Sequence, residues 1–272
     1  MNIGGLKMLK KSTSLLGFGC MRLPQTAEGK IDYDHAQKMV DYAYENGVNY
    51  FDTSPAYCQG KSEESLGIAL EQSGRSRDSY YIATKLSNFS PTQWSLEAGQ
   101  QMFENSLKYL KTDYIDYLLL HNLGNRNAYD NRFIKNGLLD YLQQQKREGK
   151  IRNLGWSFHG DVKVFDHLLA LHDSGKYTWD FAQIQLNYVD WKHAQEEHPR
   201  NINADYLYGE LEKRNIPAVI MEPLLGGRLA NVPDHISLQL KERDPDKSIA
   251  SWAFRFAGHH PAILTVLSGM TY

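Results

Sequence analysis

Three observations predict a closed α/β barrel, the (β/α)8 TIM architecture: eight short β-type runs, helical segments between them, and a length of 272 residues. The runs LLGFG, YFDTS, YIATKL, IDYLLLH, IRNLGWSF, FAQIQLN, AVIMEP and ILTVLS begin near Leu15, Tyr50, Tyr81, Ile115, Ile151, Phe181, Ala218 and Ile263, 30 to 45 residues apart. Strands covered on both faces of a parallel sheet read as short continuous apolar stretches, as these do. A barrel of this type typically takes about 250 residues. An open doubly wound sheet that binds a dinucleotide wants GxGxxG at its first strand-to-helix turn. Here GFGCMR supplies Gly17 and Gly19, then Arg22 in place of the third glycine, so the closed barrel is preferred.

The elements follow in order. After the first run, Ala36, Met39, Val40, Ala43 and Tyr44 make one apolar helix face that Asn46 and Gly47 end. The second helix, SEESLGIALEQSG, opens on Ser62, Glu63 and Glu64, which suit a helix N-terminus, and stops near Gly74. A third runs from about Leu96 to Leu110 with Leu96, Phe103, Leu107 and Leu110 on one side. Further helical segments cover roughly 137–148, 161–171, 204–214 and 248–256. The sequence stops at Tyr272, just past the eighth run, so the eighth outer helix is missing from it. Either an apolar groove stays uncovered there or the native chain continues; continuation is the expectation, because a barrel-sized exposed apolar strip is costly. No Pro/Gly-rich linker divides the chain, and residues 1–272 read as one barrel domain.

Composition excludes several functions. With 42% apolar and 23% charged residues the chain can bury a core, which argues against disorder. Thirty Lys and Arg against 32 Asp and Glu leave a net charge of −2, without the positive field that holds nucleic acid or an acidic membrane. Cys20 and Cys58 cannot build a disulfide scaffold or a four-thiolate metal site. The basic stretch MNIGGLKMLKK precedes no long apolar run with a cleavage site, and no segment approaches a membrane span. The chain therefore reads as cytoplasmic.

In a β/α barrel the chemistry sits at the C-terminal ends of the strands. Those ends carry Asp52, Lys85 and His121, then Ser157, Gln183 and Glu222, with Tyr57 five residues beyond Asp52. Taken singly, Asp52 can cap a turn, Lys85 can be solvated, His121 can be a satisfied semi-buried imidazole, and Tyr57 is one tyrosine among seventeen. The combination says more. A lysine that ends an apolar strand is pushed into the barrel mouth, where a carboxylate must balance it, and Asp52 is the natural partner. An ammonium near a phenol lowers the phenol's pKa, which predicts Tyr57 as a general acid. Carbonyl reduction needs such an acid, because the alkoxide that develops must be stabilised and protonated. A metal-dependent hydrolase using Asp52, His121 and His159 is the competing enzyme reading; no HxH follows the first strand, and Lys85 would oppose the cation, so no metal is expected.

The ordered motifs FDTSPAYCQGKSEESLG, the strand end Ile82 to Lys85, LLLHNL, GWSFHG, FAQIQLN, MEPLLGGRL and LSGMTY resemble the aldo-keto reductase family through essentially the whole chain. The resemblance implies a tetrad: Tyr57 as general acid, Lys85 lowering its pKa, Asp52 holding Lys85, and His121 orienting and polarising the substrate carbonyl. It also implies an NADP site. Ser157 and Gln183 would bond the carboxamide, Gly19, Cys20 and Met21 would line the ribose side, and Asp52 would also border the cofactor. Met221, Glu222, Pro223, Leu224, Gly226 and Arg228 would border the nicotinamide and pyrophosphate, and Ser268, Gly269 and Met270 would begin the 2′-phosphate pocket. Three departures stand out: Met221 where many relatives stack an aromatic ring, Phe158 where many have Asn, and Cys58 and Gln59 where Gly often follows the catalytic Tyr. GFGCMRLP, SFHG and MEPLLGG also resemble a subgroup whose longer members carry a ferredoxin-like extension. An iron–sulfur cluster would need such a longer chain, since Cys20 and Cys58 lack the spacing.

The function implied is NADP-dependent reduction of an aldehyde or ketone to an alcohol, on a small-molecule carbonyl substrate. The alternative is a noncatalytic nicotinamide-binding sensor or partner-binding barrel. Tyr129, Tyr188, Trp191 and His193 suit an aromatic wall for an apolar carbonyl compound, and surface packing explains them equally well. Oligomeric state is not encoded in any motif.

Overall fold

A computed structural model describes residues 12–270; the basic stretch 1–11 and the final residues 271–272 lie outside the described residues. All eight runs are strands: β1 (Leu16–Gly19), β2 (Tyr50–Asp52), β3 (Tyr81–Leu86), β4 (Ile115–Leu123), β5 (Ile151–Phe158), β6 (Phe181–Gln185), β7 (Ala218–Met221) and β8 (Ile263–Gly269). They close in sequence order, every pair parallel, with β1 paired to β8 through Leu16 opposite Val266. Closure leaves no free sheet edge.

Ten α-helices stand among the described residues: α1 (Tyr33–Glu45), α2 (Ser62–Gln72), α3 (Leu96–Tyr109), α4 (Arg126–Tyr129), α5 (Leu138–Arg147), α6 (Val162–Asp173), α7 (Asp190–Glu197), α8 (Ala204–Glu212), α9 (Asp234–Arg243) and α10 (Ile249–Gly258). Side-chain caps start several of them: Asp32 accepts from the His35 N–H at 2.9 Å, Ser95 from Ala98 at 3.1 Å and Asp161 from Lys163 at 2.9 Å. Three helices are not predicted by apolar spacing, and each has a reason. α4 is a single turn that runs into the π-helical turn Asp130–Ile134. α7 is kinked at His193, and α9 buries no side chain at all, so neither carries a regular apolar stripe. Among the described residues no helix follows β8, and Leu15 and Leu16 beside it are exposed. None of the described helices is long and apolar enough to cross a membrane.

Two cores result. The larger lies between strands and helices and includes Phe51, Ile82, Leu118, Leu120 and Trp156. The smaller fills the barrel: Tyr50, Ala83, Tyr117, Leu119, Phe181, Val219 and Leu267. Tyr117 sits 5.1 Å from both Tyr50 and Phe181, ring centre to ring centre. Successive strand residues face opposite ways, so the next inward residue after each of these lies one layer closer to the C-terminal rim. That layer is Asp52 above Tyr50, Lys85 above Ala83, His121 above Leu119, Gln183 above Phe181, Met221 above Val219 and Gly269 above Leu267. The barrel floor is apolar and its rim is chemical.

Candidate active site

Lys85 is the centre of the rim. Its side chain is 1% exposed, and its ammonium donates to Asp52 Oδ1 at 2.5 Å and to the Thr53 carbonyl at 2.8 Å. Burial works against the ammonium, but the Asp52 carboxylate and the Tyr57 phenol outweigh it and hold Lys85 above its ordinary pKa. The cation is thus permanent at neutral pH. Tyr57 opens a short turn beyond β2 and lies half-buried with its ring centre 4.8 Å from Lys85 Nζ. The sequence predicts a phenol lowered by the ammonium. In the structure burial is the larger influence and raises Tyr57 above its usual value, while Lys85 pulls it back.

The turn that presents Tyr57 is left-handed at two non-glycine residues, Cys58 (φ 49°) and Gln59 (φ 55°). This is the position where glycine is expected, and the backbone keeps the glycine-like conformation despite the side chains. The Cys58 thiol lies 3.7 Å and 3.5 Å from the Cys20 and Met21 carbonyls, which ties the turn to the segment after β1.

His121 stands across the opening, its ring edge-on to Tyr57 at 5.8 Å and beside Phe89 at 5.1 Å. Burial first, then the charges of Lys85 and Arg132, hold its pKa down to about 2, so the imidazole is neutral. Nδ1 contacts Ser87 Oγ at 2.6 Å and Ser54 Oγ at 3.4 Å. Behind the ring, Arg132 is buried and donates to the His121 carbonyl at 2.7 Å and to Asn88 Oδ1 at 3.1 Å. Burial lowers this guanidinium to about 10.

These side chains open onto a cleft of about 560 Å³. Gly19, Met21, Asp52, Tyr57, His121, Gln183, Met221, Glu222, Pro223, Leu224, Gly226, Ser268 and Gly269 all line it. Gln183 is buried and its Oε1 has no protein partner among the described residues. Ser157, its register partner on β5, accepts the Asn122 N–H at 2.8 Å, and β4 shifts register there. Glu222 closes its own loop, its Oε2 accepting from the Gly226 N–H at 2.6 Å.

The aldo/keto reductase family model matches residues 15–271. The chain belongs to this family. Among curated aldo-keto reductase relatives, the glyoxal reductase of Bacillus subtilis is 32% identical over 239 residues, 85% of this chain and 72% of that protein. L-galactose dehydrogenase of Arabidopsis thaliana is 34% identical over 143 residues, 52% of this chain but only 44% of the plant protein's length. Among solved structures, an aldo-keto reductase from Klebsiella pneumoniae in complex with NADPH superposes with a TM-score of 0.71 at 21% identity, covering 95% of this chain and 81% of that one.

Some residues that the aldo-keto reductase motifs single out stand away from the cleft wall. Cys20 is wholly buried, its carbonyl taken by the Ser62 hydroxyl at 2.8 Å. Arg228 turns outward into an ion pair with Glu197 and borders a neighbouring cavity of about 880 Å³. Met270 packs on the core. Of the two readings of these rings, the aromatic wall is not assembled: Tyr129 is fully buried, Trp191 stacks on His260 at 4.6 Å, His193 pairs with Glu196 at 2.9 Å, and Tyr188 faces the neighbouring cavity. The rings at the cleft are instead Phe89 and Phe254, which no motif marks. Asp52, His121 and His159 form no metal-holding group among the described residues, and Asp52 is committed to Lys85.

Proposed function

We propose that this chain is an NADP(H)-dependent oxidoreductase that reduces an aldehyde or ketone, with Tyr57 as the proton donor. The observation that carries the reading is the buried Lys85–Asp52 pair beneath a phenol and a neutral imidazole that share one cleft. The residues present fit a nicotinamide nucleotide. Gln183 Oε1 is a buried acceptor without a protein partner, suited to a carboxamide NH2, and Ser157, accepting from Asn122, keeps its hydroxyl proton for the carboxamide oxygen. A Cβ at Gly226 or Gly269 would meet nothing within 4 Å, so the backbone there can approach phosphates closely. The NADPH held by the Klebsiella relative supports the choice of nucleotide.

Bound in this cleft, the reduced nicotinamide supplies a hydride to the carbonyl carbon. The protein handles the oxygen. Tyr57 gives its hydroxyl proton to the developing alkoxide, a much stronger base than a phenolate, so the transfer is favourable even from a phenol raised by burial. Lys85, held by Asp52, then stabilises the phenolate left behind. His121 stays uncharged, and so can only hydrogen-bond the same oxygen.

The test is NADPH binding followed by loss of nicotinamide absorbance with small aldehydes and quinones. Tyr57→Phe should lower turnover by about 10²- to 10⁴-fold, the usual worth of a positioned acid, with nucleotide affinity nearly unchanged. Substantial residual turnover in that variant would remove Tyr57 as the main acid.

A further inference from the structure

We propose that Ser54 and Ser87 are positioning residues that fix the tautomer of His121, so that Nδ1 accepts a hydrogen bond and Nε2 carries the proton into the cleft. The function of that proton rests on the carbonyl-reduction reading above; the tautomer itself does not.

Both serines stand just past the strand ends that carry the ion pair: Ser54 two residues beyond Asp52, and Ser87 two residues beyond Lys85. They are 0% and 5% exposed. The contacts form one line. The Ala56 N–H reaches Ser54 Oγ at 3.1 Å, Ser54 Oγ lies 2.8 Å from Ser87 Oγ, and Ser87 Oγ lies 2.6 Å from His121 Nδ1.

A backbone N–H can only donate, so the line has a fixed end. Ser54 Oγ accepts from Ala56 and has one proton to place, with only Ser87 Oγ and, at 3.4 Å, His121 Nδ1 in reach. If the proton goes to Ser87, the Ser87 proton goes to Nδ1. If it goes straight to Nδ1, Nδ1 is again the acceptor. The opposite tautomer, with Nδ1–H donating to Ser87, leaves one buried serine proton without an acceptor: that of Ser54 if Ser87 donates to Ser54, or that of Ser87 if Ser54 donates to Ser87. Leaving a buried donor unsatisfied biases the ratio by roughly ten- to hundred-fold.

A neutral imidazole carries one N–H. With Nδ1 accepting, that N–H is at Nε2, which has no protein partner among the described residues, on a ring that lines the cleft. The serines therefore supply what the neutral ring lacks, a defined direction. Imidazole without them can turn its lone pair toward the carbonyl oxygen and repel it.

Tautomers are read directly by ¹⁵N NMR of the full chain labelled at histidine, with His121→Asn used to assign the ring. The wild type should show Nδ1 unprotonated and Nε2 protonated at neutral pH. In Ser54→Ala/Ser87→Ala the Nδ1–H fraction should rise by about tenfold, and Ser87→Thr, which keeps a hydroxyl, should retain the wild-type pattern. In turnover the double variant should lose about tenfold in kcat with NADPH affinity within about twofold, and Ser87→Thr should recover most of it. A wild type carrying Nδ1–H, a double variant that keeps Nε2–H, or a tautomer shift that leaves kcat intact overturns the proposal. A wild type with the expected tautomer and serine dependence but no carbonyl reduction refutes the proposed reaction and leaves the tautomer assignment standing.

Discussion

Lys85 ends a strand that is otherwise apolar, and its burial is stable only because the Asp52 carboxylate and the Thr53 carbonyl accept hydrogen bonds from its ammonium. Deleting one partner of such a pair strands the other. Lys85→Met should therefore lower stability by about 3–5 kcal/mol and abolish turnover, and Asp52→Asn/Lys85→Met should regain most of the stability while remaining inactive. Thermal denaturation of both variants beside their rates separates the two roles, and a double variant as unstable as Lys85→Met would show that the pair is not the source. This pairing was legible in the sequence, because a lysine at the end of a buried strand demands a carboxylate and the preceding strand ends in one. The direction of the Tyr57 pKa was not, since it depends on how deeply the phenol sits relative to its distance from the cation. Nor were Phe89, Arg132, Ser54 and Ser87. They lie in loops or just past strand ends, where no periodicity fixes which way a side chain turns. Arg132 in particular reads as a solvated loop cation, yet it is buried against backbone carbonyls.

At the scale of elements, strands were easier to place than helices. A parallel barrel strand must be apolar on both faces, so its signal is a continuous run, and each of the eight runs is a strand. Helices that cover the barrel show a stripe; α9, which buries nothing, shows none. Helix-to-helix distance leaves an even fainter mark, a single small residue. Gly67 in α2 is such a residue: a Cβ there would lie 2.0 Å from the Tyr109 carbonyl oxygen and 2.9 Å from Leu110 Cα at the end of α3. Both obstacles are backbone, so neither can rotate aside. Although alanine is the better helix former, Gly67→Ala should push the two helices apart and cost about 1–3 kcal/mol, lowering Tm by roughly 2–10 °C. An unchanged or higher Tm would mean that α2 and α3 can separate freely. Because α2 follows the Tyr57 turn directly, the same substitution should also reduce turnover.

For the whole molecule, the same burial that keeps His121 neutral makes the folded state sensitive to acid. His121 is held down to about 2, and burial also lowers His159, His167, His172 and His260. In the unfolded chain each titrates near 6.5. Below that pH the unfolded state binds protons that the native state refuses, so stability is present above about pH 6.5 and is lost as pH falls toward the folded value. His121 alone sets a limiting slope of about 1.4 kcal/mol per pH unit, and the other four add to it in the same direction. The carboxyl groups raised by burial, Asp52, Glu63, Asp116 and Asp190, act with the opposite sign, favouring the folded state as they protonate. Between about pH 6.5 and 5.5, where the histidines of the unfolded chain titrate, Tm should fall by roughly 2–5 °C, with His121→Gln flattening that slope. Turnover over the same interval should show no inflection from His121, because the folded ring is neutral throughout. A Tm that is constant or rises on acidification, or a rate that breaks near the ordinary histidine pKa, would mean that water or a compensating anion reaches the ring, and the barrel rim would then be a far wetter place than its packing implies.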